Sequence, residues 1–314
     1  MSRIRNAFSG KKAFIPFITC GDPDLSTTEE IVLAAADAGA DLIELGIPFS
    51  DPTAEGPVIM AADERALKNG VTTDQIFELV KRLRSRLDIP LVFMTYANVV
   101  YSYGSERFLE NAAKAGIDGL ILPDVPYEEK EEFHALCQQY ELDLISMIAP
   151  TSENRIARIA SEAEGFLYIV SSLGVTGMRA DISTDIGSMV KLVRENTDIP
   201  CAVGFGISSP EQAAAMAEIS DGAIVGSAIV SMIGTYGKDA AGPASEFIRS
   251  LADAVHAIEP LPVVEVHISD ISKREDFRQI SYEAPFCIGQ IKGHGPAGYV
   301  EAIDLILEHL NRSE

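Results

Sequence analysis

The sequence predicts an α/β fold: a (β/α)8 (TIM) barrel over residues 1–256, followed by a short C-terminal β/α extension over 257–314. Two observations carry the barrel. Eight short apolar runs recur along the chain, and amphipathic stretches separate them. Strict alternation of this kind implies a parallel sheet. Eight repeats within about 230 residues fit a closed barrel better than an open doubly wound sheet, which is the alternative architecture. A third observation sets the boundary, because the alternation stops after His256.

The runs are AFIPFIT (13–19), LIELG (42–46), LVFMTY (91–96), GLILPD (119–124), DLISMIAP (143–150), FLYIVSS (166–172), CAVGFG (201–206) and GAIVGS (222–227). Continuous apolar character over so few residues suits strands buried on both faces. Between them, STTEEIVLAAADAGA opens with a Ser/Thr cap and an acidic first turn and ends in Gly39. TTDQIFELVKRLRSRL, SERFLENAAKAG, YEEKEEFHALCQQY, SENRIARIASEA, STDIGSMVKLVREN and SPEQAAAMAEIS follow the same helical plan.

Composition narrows the function classes. The chain is 47% hydrophobic and 23% charged, with a net charge of −22. So acidic a surface repels nucleic acid and anionic lipid. A small anionic substrate stays open, because backbone amides hold phosphate whatever the global charge. The start, MSRIRNAFSGKK, has no apolar leader core, and no apolar run reaches the length of a membrane span. The chain is expected to be cytoplasmic, with Cys20, Cys137, Cys201 and Cys287 as reduced thiols.

Barrel chemistry sits at the C-terminal ends of the strands. Glu44 lies inside the second run, where a carboxylate is expensive unless paired or used. No lysine or arginine lies in any of the eight runs, which favours a general acid/base over a core ion pair. The next loop, GIPFSDPTAEGP, carries Asp51 and Glu55, as a second acid or partner contact or as a solvated turn. Glycine-bearing loops follow runs six, seven and eight. Any one of them reads as a tight turn, but together they point to phosphate, with Gly206, Gly226 and Ser227 best placed. Tyr168 assists or simply packs. No lysine suits a Schiff base, and His134 and His256 lie on or at the end of helices, so metal and Ser-His-Asp arrangements lose support.

Residues 5–256 resemble the tryptophan synthase α chain family through FITCGDPD, IELGIPFSDP, LPDVP, GVTG and GFGI. The resemblance implies retro-aldol cleavage of indole-3-glycerol phosphate to indole and glyceraldehyde 3-phosphate. It places the catalytic glutamate at Glu44 and the phosphate on the backbone of Gly177, Gly206 and Gly226 and on Ser227. It puts Thr176 in a closing loop, and it lines the indole pocket with Phe17, Met94 and Tyr168. Asp51 falls on the loop that signals to a β chain. Glu55 stands where the family usually has an aspartate that hydrogen-bonds the indole N–H; it is expected to keep that role with adjusted loop geometry. The resemblance also implies no cofactor in this chain, and a pyridoxal-phosphate β chain as partner in an α2β2 tetramer.

Residues 257–314 resemble the C-terminal third of type II 3-dehydroquinate dehydratase through VEVHIS, KREDFR and GYVEA. Glu265, His267, Arg274 and Arg278 fall on that family's substrate-site positions. The part bearing its catalytic tyrosine is absent, so no dehydratase activity is expected. Two other readings compete for the barrel. One is a sugar-phosphate isomerase or epimerase, for which the histidines or second acid are not obvious. The other is a non-catalytic phosphate-ligand binder that activates a β chain.

Overall fold

The computed structural model describes residues 3–150, 153–170, 186–204, 206–258, 263–270 and 287–312. The chain divides into two compact units, Met1–Ile258 and Glu259–Glu314.

The first unit is a closed parallel barrel. Its strands are β1 (Ala13–Thr19), β2 (Ile43–Gly46), β3 (Leu91–Met94), β4 (Gly119–Ile121), β5 (Asp143–Leu144), β6 (Ser146–Ile148), β7 (Leu167–Val170), β8 (Cys201–Gly204) and β9 (Gly222–Val225). Hydrogen-bonded order runs β5-β4-β3-β2-β1-β9-β8-β7-β6, with every pairing parallel. The fifth apolar run is thus two short strands rather than one. Its first half pairs with β4 and its second half with β7, so Ile145 closes the ring covalently. The Ile145 amide still donates to Leu120 O at 2.9 Å before the ladder changes sides.

Alternation along each strand sends one set of side chains inward. Ile15, Leu42, Val92, Ile121, Phe166, Ala202 and Ile224 fill the barrel as one buried cluster. Its lower end is plugged by the short helix α1 (Arg3–Ala7), which buries Ile4 and Ala7. The outward set packs under the surrounding helices as the larger core.

The first long helix, α2 (Leu25–Asp37), corrects the expected cap. Asp24, not a serine or threonine, accepts the Thr27 amide at 2.8 Å, and no acid lies in the first turn. Aspartate two residues before Ser26 takes that amide, and the hydroxyls turn to other work. Thr28 Oγ1 donates to Asp24 O and accepts the Gly21 amide.

A recurrent device fastens the lower rim. Asp41 accepts the Phe14 amide, Asp118 the Leu91 amide and Asp221 the Cys201 amide. Each carboxylate leads into one strand and grips the first amides of the strand before it in sequence. Further side chains finish the clamps: Arg84 and Arg3 pair with Asp118, Arg194 with Asp221 and Lys11 with Asp41, where the His256 ring also lies within hydrogen-bond distance. This fixes the end opposite the chemistry.

The second unit holds β10 (Val264–His267) and β11 (Gly289–Lys292), paired in parallel, and helix α13 (Gly298–Arg312). His267 Nε2 lies 2.6 Å from Glu265 Oε1. Arg274 and Arg278 lie outside the described residues. No helix among the described residues is long and apolar enough to cross a membrane.

Candidate active site

A cavity of about 560 Å³ opens at the C-terminal ends of the strands, and Glu44 lines it. The strand register sets Glu44 beside Phe17 of β1 and Val92 of β3. Its residue is fully buried, and neither carboxylate oxygen has a hydrogen-bond partner among the described residues. Burial, then the nearby Glu55 charge, push this carboxyl well above the usual carboxylate range. A shift in that direction favours the protonated carboxyl, the form that can give a proton as well as take one back.

Glu55 enters the same cavity from the loop after β2 and is buried. Burial raises Glu44, Asp63, Tyr96 and Tyr168, and the Glu55 charge adds to the shift of all four. Asp51, on the same loop, faces solvent and accepts the Ser50 hydroxyl at 2.6 Å; it does not line the cavity.

Phe17, Met94 and Tyr168 form the apolar walls with Ile59 and Leu122. Two glycines make room for the rings. A Cβ on Gly46 would collide with the Phe17 ring, and one on Gly204 would lie 2.5 Å from the Tyr168 hydroxyl. That hydroxyl is fully buried beside Glu44, so its ionisation is pushed well above the ordinary range. Nothing in the residue pattern alone distinguishes Gly46 and Gly204 from turn glycines, because their role depends on the ring across the ladder.

The opposite rim carries Gly206, Gly226 and Ser227. Gly206 has φ +83°, a left-handed conformation that side-chain-bearing residues rarely adopt. Gly226 caps helix α11 (Ser227–Tyr236), and Gly226 and Ser227 at its N-terminus line the cavity. Helix N-termini carry partial positive charge and unpaired N–H groups, which suit an anion. Thr176 and Gly177 lie outside the described residues. Tyr127, Lys130 and Arg155, which the sequence did not single out, extend the cavity wall. They sit on or after the loop that follows β4 and on the helix after β6, at the active end of the barrel but without a motif of their own.

A parallel barrel with a dry carboxyl and an amide-rich rim at its strand ends defines a barrel enzyme of the acid/base type. Comparison with known proteins then fixes the family. The sequence model "Tryptophan synthase alpha chain" matches residues 5–257. A relative from Lacticaseibacillus casei is 44% identical over 263 residues, covering 84% of this chain and 99% of that protein. One from Caldanaerobacter subterraneus subsp. tengcongensis is 50% identical over 238 residues, covering 74% and 91%. Both are tryptophan synthase alpha chains. Among solved structures, the tryptophan synthase subunit alpha of Legionella pneumophila superposes with a TM-score of 0.75 at 36% identity, covering 82% of this chain and 100% of that one. The chain belongs to the tryptophan synthase alpha chain family. It is a lyase of tryptophan biosynthesis, cleaving indole-3-glycerol phosphate. Separately, the model "Dehydroquinase class II" matches residues 241–307.

Proposed function

We propose that Glu44 carries the proton transfers of this cleavage and that Glu55 orients the indole. The observation behind this reading is a buried carboxyl, without a hydrogen-bond partner among the described residues, facing an apolar cavity. In its neutral form Glu44 protonates indole C3, which makes the ring an electron sink. The resulting carboxylate removes the proton of the glycerol hydroxyl on the carbon attached to C3. The C3–carbon bond then breaks, its electrons restore the indole, and the hydroxyl carbon becomes the aldehyde of glyceraldehyde 3-phosphate. Protons taken and given balance within one carboxyl.

Glu55 accepts the indole N–H as positive charge grows there, and after burial its charge is the second influence that favours the protonated form of Glu44. Phe17, Met94 and Tyr168 sandwich the ring and exclude water. Gly206, Gly226 and Ser227, with Gly177, are expected to cradle the phosphate, and Thr176 is expected on the loop that closes over the site. No cofactor is expected in this chain. A β chain carrying pyridoxal phosphate, in an α2β2 assembly, is the expected partner, with Asp51 on the loop that reports to it. A cytoplasmic location is expected for such an enzyme. The second unit is expected to be a catalytically silent remnant.

The test is indole formation by the purified chain alone from indole-3-glycerol phosphate. Turnover with competitive inhibition by inorganic phosphate supports the assignment. Binding without turnover would instead favour a non-catalytic activator of the β chain.

A further inference from the structure

Glu55 acts only if its loop holds it in the cavity, and two side chains outside the reacting centre grip that loop. Residues 47–56 leave β2 with the Ile47 amide on Met94 O at 3.0 Å. The loop then passes over Tyr96, which is buried at the end of the third apolar run. The Tyr96 ring stacks on Phe49, with centroids 5.3 Å apart and planes at 29°. Its phenolic oxygen accepts the Ala54 amide at 3.0 Å, one residue before Glu55. Tyr96 is itself fixed, because the next amide, Ala97, donates to Asp124 at 3.1 Å. From the other side, buried Asp63 of helix α3 (Pro57–Lys68) accepts the Phe49 amide. Gly56 caps that helix. One loop is thus held at Phe49 from two directions and at Ala54 from a third, and Glu55 is the adjoining residue.

We propose that Tyr96, supported by Asp63, is a positioning residue for the lyase reaction, which fixes the 47–56 loop so that Glu55 stays in the cavity with Glu44. The proposal rests on the reading of Glu55 given above. Tyr96 does not line the cavity and reaches it through the loop that carries Ala54 and Glu55. The hydroxyl matters because a hydrogen bond to a loop amide is directional, whereas ring stacking leaves the loop free to slide.

A double-mutant cycle tests this. Wild type, Tyr96→Phe, Glu55→Ala and the double variant are compared for indole release, with inorganic phosphate inhibition as a reading of the untouched rim. Tyr96→Phe keeps the ring and removes the acceptor. It is expected to lower kcat by about 3–10-fold, the equivalent of one ordinary hydrogen bond, with phosphate inhibition unchanged. In the Glu55→Ala background the same change is expected to have less than about two-fold effect, because the residue it serves is gone. Phe49→Leu, which removes the stacking partner, provides a second grip to cut should Tyr96→Phe fail to fold, and it is expected to show the same dependence on Glu55. An equal loss in both backgrounds, or no loss in the wild-type background, overturns the proposal while leaving Glu55 in place. If Glu55→Ala itself leaves kcat untouched, the reading of Glu55 falls and takes the proposal with it. A lowered melting temperature with unchanged kcat would mark a merely structural tyrosine and also overturn it.

Discussion

Burying an acid near the mouth of this barrel makes stability depend on pH. Asp63 shows the effect on a scale that can be read. Burial and the Glu55 charge push its carboxyl up to about 7, against the hydrogen bond from the Phe49 amide. The folded protein therefore holds a proton that the unfolded chain releases near the ordinary value of 3.8. Its contribution is most favourable below about 3.8 and is lost as pH rises through about 7. Asp63→Asn keeps an oxygen for the Phe49 amide and removes the titration. Its melting temperature is expected to match wild type at pH 4 and to exceed it at pH 8 by several degrees, about 2–4 °C for each kcal/mol relieved. Thermal unfolding at the two pH values checks this. Glu44 was legible in the sequence because an acid inside an apolar run, with no cation in any other run, has few structural uses. Tyr96 and Asp63 were not. Their roles depend on a loop folding back over them, and neither carries a motif. Glu55 was visible as a loop acid after the second run and as a departure from a family pattern, but its burial beside Glu44 needed coordinates.

Strands were the plainest elements to read, because runs buried on both faces stand out as apolar. The broken fifth strand was not readable, since apolar Ile145 carries no turn or breaker signal and only the change of partner from β4 to β7 marks the break. The plug helix α1 also escaped, being only five residues long. The carboxylate clamps on the lower rim look like ordinary loop acids in sequence, yet they fix strand ends. Asp118 is the best placed to test that role, since it joins Arg84, Arg3 and the Leu91 amide. Asp118→Ala strands a largely buried guanidinium and an amide. It is expected to destabilise the barrel by about 3 kcal/mol. Denaturant unfolding measures the loss, and kcat at 25 °C is expected to stay within about two-fold, because the clamp lies at the end of the barrel opposite the cavity.

At the scale of the whole molecule, the two compact units match different families: residues 5–257 that of the lyase, and residues 241–307 the dehydroquinase model. The two matches overlap along the last barrel helix, α12 (Ala241–His256), which packs against α2 and belongs to the barrel core. A chain ending at Ile258 is therefore expected to fold and to release indole within about two-fold of the full-length rate, as long as every side chain assigned to the reaction lies before that point. The full chain is expected to leave 3-dehydroquinate unchanged, measured by absorbance of the enone product. The central claim is narrower than either outcome: one carboxyl, kept dry and uncharged at the strand ends, moves both protons. Indole release by Glu44→Gln tests it most directly, because the amide preserves shape and cannot exchange a proton. A fall in kcat of about 1,000-fold or more, with inorganic phosphate still inhibiting at the wild-type concentration, is the predicted result. A Glu44→Gln enzyme within ten-fold of wild type would contradict it.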